Sequence, residues 1–336
     1  MASEILGKAG EDRLKDTSAA EVISGLDGND TLINLSNFDT LYGGNGADIL
    51  RISQPSAAYL HVVAFGDAGN DLLRMMPACD SANLFGGDGA DTLHGTGQLG
   101  YFSGGSGADV IIGGPGTSYR TNHILAYGDS GADTLTGIWN AYGGDGADLL
   151  RHCHIAAGGN GRDTLMGTGL DDFLSDDGTD ARRNFFYGGY GHDQITGGIG
   201  SDRIEGGRLG DTISGDSGND MIFGGGGRDL IAGSYGKDQL WGGTAADVFV
   251  FSAASEMGIQ TTADVIKDFV PGQDRIELAF DTLHFIGTRH FSQTAGEVRF
   301  EASTHRLQID TDGNGTTDAS LVLVGVTALT AHDLIL

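Results

Sequence analysis

The chain has 336 residues, 59 of them glycine and 4 proline, with a net charge of -27 and a pI near 4.4. That charge argues against nucleic acid or an anionic membrane surface as partners and favours cations. Cys79 and Cys153 are too few for a disulfide framework and are expected as free thiols. Residues 1–20 carry charges where a secretory signal would have its apolar run, and no stretch of eighteen apolar residues occurs. Neither a cleaved signal peptide nor a membrane span is therefore expected. The glycines recur with a period, unlike those of a disordered glycine-rich segment.

In chain order, a nine-residue frame begins at Gly7. GKAGEDRLK and GLDGNDTLI put Asp12 and Asp30 at the sixth place, while the alternate units DTSAAEVIS and NLSNFDTLY keep the frame without the glycines. The glycine-rich turns continue as GGNGADILR (Gly43, Gly44, Gly46, Asp48), GDAGNDLLR (Asp71), GGDGADTLH (Gly86, Gly87, Gly89, Asp91) and GGSGADVII (Asp109). GDSGADTLT (Asp133), GGDGADLLR (Gly143, Gly144, Gly146, Asp148) and GGNGRDTLM (Asp163) follow. Glycines at places one, two and four permit positive φ and leave no Cβ in the way, so several carbonyls can aim at one point beside the Asp carboxylate. Such oxygens suit calcium, which takes about 6 to 8 of them. The three residues after the Asp form a short strand whose middle side chain points inward. Two units then make one coil, and like turns stack along an edge at about 4.8 Å per coil.

The alternate turns of this half carry Glu21, Asp39, Val62, Ala82, Gly100 and Ile124 where Asp would stand. The expectation is a lopsided roll over 7–166, with one calcium row and an opposite edge carrying irregular segments such as SQPSAAYLHVVAF and GGPGTSYRTNHILAY. Insertions on one solenoid face often mark a binding face; drift at an unconstrained edge is the equal alternative. Arg51, Arg74 and Arg151, at place nine, face outward and suit part of a cationic stripe, with coils that lack Arg between them.

Residues 167–187 disturb the frame: GTGLDDFLS fits through Asp172 and Leu174, and DDGTDARRNFFY follows. From 188 to 250 the units are unbroken: GGYGHDQIT (Gly188, Gly189, Gly191, Asp193), GGIGSDRIE (Gly197, Gly198, Gly200, Asp202), GGRLGDTIS (Asp211) and GDSGNDMIF (Asp220). GGGGRDLIA (Gly224, Gly225, Gly227, Asp229), GSYGKDQLW (Asp238) and GGTAADVFV (Asp247) complete them, and both edges are expected to bind metal. These nonapeptides resemble the RTX (hemolysin-type) calcium-binding repeat. After Val250 the period stops, and ADVFVFS, ADVIKDFVPGQDRIEL and DLIL resemble the C-terminal cap of serralysin-type secreted proteases and, more distantly, the calcium-binding modules of mannuronan epimerases.

The resemblance implies an all-β fold, a right-handed parallel β-roll capped by a C-terminal antiparallel β region. It divides the chain into an irregular roll (1–187), a regular roll (188–250) and a cap with secretion signal (251–336). It implies multiple Ca2+ ions as cofactor and folding on extracellular calcium, as a structural or surface-associated protein. Export through type I secretion machinery would be directed by the C-terminal AHDLIL. The protease activity does not carry over, because no HExxH stands in the sequence, and no catalytic residue is assigned. The alternative is an extracellular glycan as ligand or polysaccharide substrate at the irregular edge, using Tyr59, Tyr101, Tyr119, Trp139 and Tyr142.

Three smaller signals have plain readings beside their chemical ones. GDSG at 128 and 215 resembles the nucleophile loop of trypsin-like proteases but falls in frame as a calcium turn. His152, Cys153 and His154 suit either a soft-metal site or a solvated loop. Asp310, Asp312, Asn314 and Gly315 match the first half of an EF-hand loop, but Leu321 holds the twelfth place; a turn and a further calcium site both fit.

Overall fold

The computed structural model describes residues 3–17, 20–36, 38–53, 62–76, 79, 81–95, 99–114 and 123–336, in two compact units, Met1–Leu165 and Met166–Leu336. Tyr59 and Tyr119 lie outside the described residues. Each unit is a parallel β-solenoid, as the period requires.

In the first unit every coil gives one strand to each of two parallel sheets. One sheet stacks Ser3–Leu6, Glu21–Asp27, Thr40–Asn45, Val62–Ala68, Ser81–Asp88, Leu99–Ser106, His123–Ser130, Asn140–Gly146 and Ile155–Gly161. The other stacks the short strands that follow each Asp, from Arg13–Lys15 through Thr31–Asn34, Ile49–Ile52, Leu72–Met75, Thr92–His94, Val110–Ile112 and Thr134–Thr136 to Leu149–Arg151. Alternation sends the eighth place of each glycine-rich unit inward. Leu32, Leu50, Leu73, Leu93, Ile111, Leu135 and Leu150 lie in register and are fully buried. Facing them are Ile23, Leu41, Ala64, Leu84, Phe102, Ala126, Ala141 and Ala156, also fully buried.

The residue before the first glycine points outward. Tyr42, Phe65, Phe85, Tyr127 and Tyr142, with Tyr101 bridging the middle, form a ladder whose successive centroids are 5.1, 4.9, 5.6, 5.5 and 4.9 Å apart. The spacing is set by the coil rise, so each ring packs on its neighbours. On the other sheet Arg51 pairs in register with Arg74 and Arg74 adjoins His94, but Ile112 and Thr136 separate these from Arg151. The cationic stripe is thus two adjacent arginines and one apart.

In the second unit one sheet stacks Phe173–Ser175, Gln194–Thr196, Thr212–Ser214, Leu230–Ala232, Val248–Phe251, Arg275–Leu278 and Leu334–Ile335, all parallel. The other runs Phe185–Tyr190, Arg203–Arg208, Met221–Gly226, Gln239–Thr244, Val265–Ile266 and Ala319–Leu323 in parallel. It then turns antiparallel through Arg306–Asp310 and Glu297–Glu301. The repeat thus ends in a mixed sheet. Its four-residue helix Ala254–Met257 buries Met257, and Val298, Phe300, Leu307, Ile309 and Leu321 supply the side chains that close the apolar interior. The eighth place is buried throughout, at Ile195, Ile204, Ile213, Ile222, Ile231, Leu240 and Phe249.

Candidate metal centre

The turn from Gly43 to Asp48 shows how the repeat makes a site. Gly44 and Gly46 have φ of 106° and 132°, angles that side-chain-bearing residues rarely adopt. Gly43 is required for a different reason: a Cβ there would lie 2.5 Å from Asp48 Oδ2 and 2.5 Å from the carbonyl of Gly66 on the next coil. The backbone of place one, the carboxylate of place six and a carbonyl of the following coil therefore converge. The second- and fourth-place glycines at Gly87, Gly89, Gly144, Gly146, Gly189, Gly191, Gly198, Gly200, Gly225 and Gly227 share left-handed angles, and Gly86, Gly143, Gly188, Gly197 and Gly224 sit against their own Asp as Gly43 does. Asp67, Asp129 and Asp216 replace the second glycine at φ of 71°, 73° and 66°, a conformation Asp tolerates. Both GDSG segments are accordingly turns of the roll.

Within each column a place-six Asp accepts a backbone N–H from the coil before it. The backbone N–H of Asp12 donates to Asp30 Oδ1 at 2.7 Å, and the rule repeats from Asp30 to Asp48, Asp71, Asp91, Asp109, Asp133, Asp148 and Asp163, at 2.6 to 2.8 Å. In the second unit one such column runs Asp172, Asp193, Asp211, Asp229, Asp247, Asp274. The other runs from the Asn184 N–H through Asp202, Asp220 and Asp238 to Asp264.

The second oxygen of most of these aspartates is unlike the first, although Oδ2 of Asp172 and Asp274 accepts the N–H of Thr168 and Val270. Oδ2 of Asp30, Asp48, Asp71, Asp91, Asp109, Asp133 and Asp148 is buried without a hydrogen bond, as is Oδ2 of Asp193, Asp202, Asp211, Asp220, Asp229, Asp238, Asp247 and Asp264. These side chains are at most 3% exposed. An unsatisfied buried carboxylate oxygen is costly, and repetition excludes accident. Burial pushes the Asp71, Asp133 and Asp211 carboxyls up to about 7 and Asp220 and Asp264 to about 8, with neighbouring aspartates adding to the rise. A divalent cation with hard oxygen preference fits these donors, since it supplies the charge each column lacks.

At the other edge of the first unit, Val62, Ala82, Gly100 and Ile124 stack in register, with Val62 and Ala82 fully buried and Ile124 1% exposed. These positions offer an apolar plug where the opposite edge offers carboxylates. Asp264 and Asp274, which continue the columns in the second unit, lie 26 and 27 residues after Asp238 and Asp247. Without glycines at the first and second places before them they escape the nonapeptide pattern, although Gly272 holds the fourth place before Asp274; for Asp264 the signal was the Ala-Asp-Val shared by ADVFV and ADVIK.

The remaining candidates resolve locally. Cys79 and Cys153 are buried thiols, not joined in a disulfide. Cys153 has no exposed surface, His154 packs on Trp139 at 4.1 Å between centroids, and His152 is exposed, so the three do not converge. Asp310, Asp312 and Asp318 bring carboxylate oxygens within 4.8 Å of one another. Asp310 accepts the N–H groups of Gly313 and Gly315 at 2.8 Å, and Asp318 accepts from Thr311. The three acids lie in a turn between two strands and also accept hydrogen bonds from within it, an arrangement that fits a turn and a further calcium site alike.

Gly43→Ala is expected to lower stability by about 1–3 kcal/mol, as overpacking does, and to remove calcium from its turn. Gly169→Ala is the control: its nearest foreign atom, Tyr190 Cβ, is 4.0 Å away, and a change within about 0.5 kcal/mol is expected. Calcium-loaded thermal melts of the two variants compare them; equal melting temperatures would count against the turn geometry.

Comparison with protein families matches residues 12–336 to the description "Peptidase M10 serralysin C terminal". Comparison with curated proteins found no match.

Proposed function

We propose, from the premise that this chain belongs to the serralysin C-terminal family, that it is a secreted protein whose roll folds as its aspartate columns fill with calcium. The observation that carries this reading is the row of buried Oδ2 oxygens without partners. One calcium row follows the column Asp30–Asp148 of the first unit, and two rows accompany residues 188–250 of the second. Equilibrium dialysis of the full chain tests it: many ions per chain with affinities of about 0.1–1 mM are expected of extracellular modules. Uptake of one ion or none would overturn the proposal.

In this reading the chain leaves the cell unfolded, by a type I route, and folds where calcium is abundant. The C-terminal tail favours that order of events. In the folded chain Asp333 is 1% and Leu334 7% exposed. Asp333 accepts the Gly272 and Thr330 N–H groups at 2.6 and 2.7 Å, and Leu334–Ile335 adds a strand beside Arg275–Leu278. A signal docked in this way is legible only before folding. Deleting Ala331 to Leu336 is expected to retain the chain in a cell with a type I exporter, read as the extracellular fraction; undiminished secretion contradicts this.

The glycan alternative gains no specific observation. Tyr42, Phe65 and Phe85 are stacked within 13° of parallel, as are Tyr127 and Tyr142, so the ring faces a sugar would use are largely taken by neighbouring rings.

A further inference from the structure

The first two coils break the lopsided pattern. On the edge that later becomes apolar, Glu21 and Asp39 retain the column rule: the Glu21 N–H donates to Asp39 Oδ1 at 2.7 Å. Where a regular turn has its first glycine, however, these turns have Asp16 and Asn34. Both side chains enter the space that a glycine would leave. Asn34 Nδ2 reaches Asp39 Oδ2 at 2.5 Å. Ser36 Oγ lies between Asp16 Oδ2 and Asp39 Oδ2, hydrogen-bonded to the first and 3.1 Å from the second. Asp16 Oδ2 also accepts the Leu35 N–H at 2.9 Å, and the one hydroxyl proton of Ser36 cannot serve both carboxylates.

Two further oxygens are left over. Asp16 is 7% exposed and Asn34 fully buried, yet Asp16 Oδ1 and Asn34 Oδ1 have no hydrogen-bond partner. Two carboxylates, a carboxamide and a hydroxyl, from adjacent coils, thus meet with an excess of acceptors and of negative charge. We infer that Asp16, Asn34, Ser36 and Asp39 form a calcium site of a second kind, in which side chains at the first and third places replace the glycine backbone. All donors are hard oxygens, which selects calcium over softer metals. The site needs no glycine turn, so it stands or falls separately from the columns of the opposite edge.

The competing arrangement is a metal-free plug in which the Asn34 amide takes the place of the cation. Two variants of the full chain separate them, with bound calcium counted by native mass spectrometry and melting followed at saturating calcium. Asp39→Asn is expected to lose one ion and keep the rest. Asn34→Asp removes the amide donor but adds a third carboxylate; it is expected to keep the wild-type ion count and to melt at or above the wild-type temperature. An unchanged ion count in Asp39→Asn overturns the site. So does an Asn34→Asp protein that melts lower than wild type at saturating calcium, even if Asp39→Asn fails to fold. A wild type that binds no ion would refute the site and the columns together, whereas a wild type that keeps a single ion, lost in Asp39→Asn, would refute the columns alone.

Discussion

Chelating calcium is expected to abolish the strand signal of this chain in far-ultraviolet circular dichroism, and readmitting millimolar calcium to restore it. Along the column from Asp30 to Asp148, seven buried carboxylates each present one oxygen without a partner. Like charges about 5 Å apart repel by about 3 kcal/mol at an effective dielectric near 20. Each ion bound at a hundredfold excess over its dissociation constant contributes about 2.7 kcal/mol to the folded state. Over several sites this rivals the whole net stability of a domain, about 5–15 kcal/mol. The apolar interior offers little reserve, because each coil buries few side chains per strand. A calcium-free chain with the spectrum and melting temperature of the loaded one would refute the dependence.

Acid is expected to substitute for calcium in part. The folded chain raises Asp71 and Asp133 to about 7 and Asp220 and Asp264 to about 8, chiefly through burial, against about 3.9 in an unfolded chain. The folded state therefore binds more protons between these values. The associated stability is fully present below the unfolded value and is lost as pH rises through 6 to 8. Protein stripped of metal on a chelating resin should gain strand signal as pH falls from 8 to 5. The calcium midpoint should move to higher concentration over the same range, because protons compete for the same oxygens. Further loss of structure at pH 5 would contradict the assignment of these aspartates to the buried columns.

The repeat made most of this legible in advance. A place-six Asp and a place-eight aliphatic, nine residues apart, fix both the buried column and the coil, so Leu73 or Ile213 could be placed inside from spacing alone. The apolar edge at Val62, Ala82 and Ile124 was visible for the same reason. Asp264 and Asp274 were not, because the first- and second-place glycines that mark the repeat are missing before them. Nor could spacing show that Asp16 and Asn34 turn their side chains into the position of a missing glycine. That depends on which coil lies above them. The docking of the last residues as a strand beside Arg275–Leu278 likewise joins segments far apart in sequence.

Anomalous scattering from calcium-loaded crystals tests the central claim most directly. Peaks are predicted beside Oδ2 of Asp48, Asp71, Asp91, Asp109 and Asp133 along one edge of the first unit, and beside both the Asp193–Asp211–Asp229 and Asp202–Asp220–Asp238 columns of the second. An absence of peaks at these oxygens, or a row along the edge lined by Val62, Ala82 and Ile124, would contradict it.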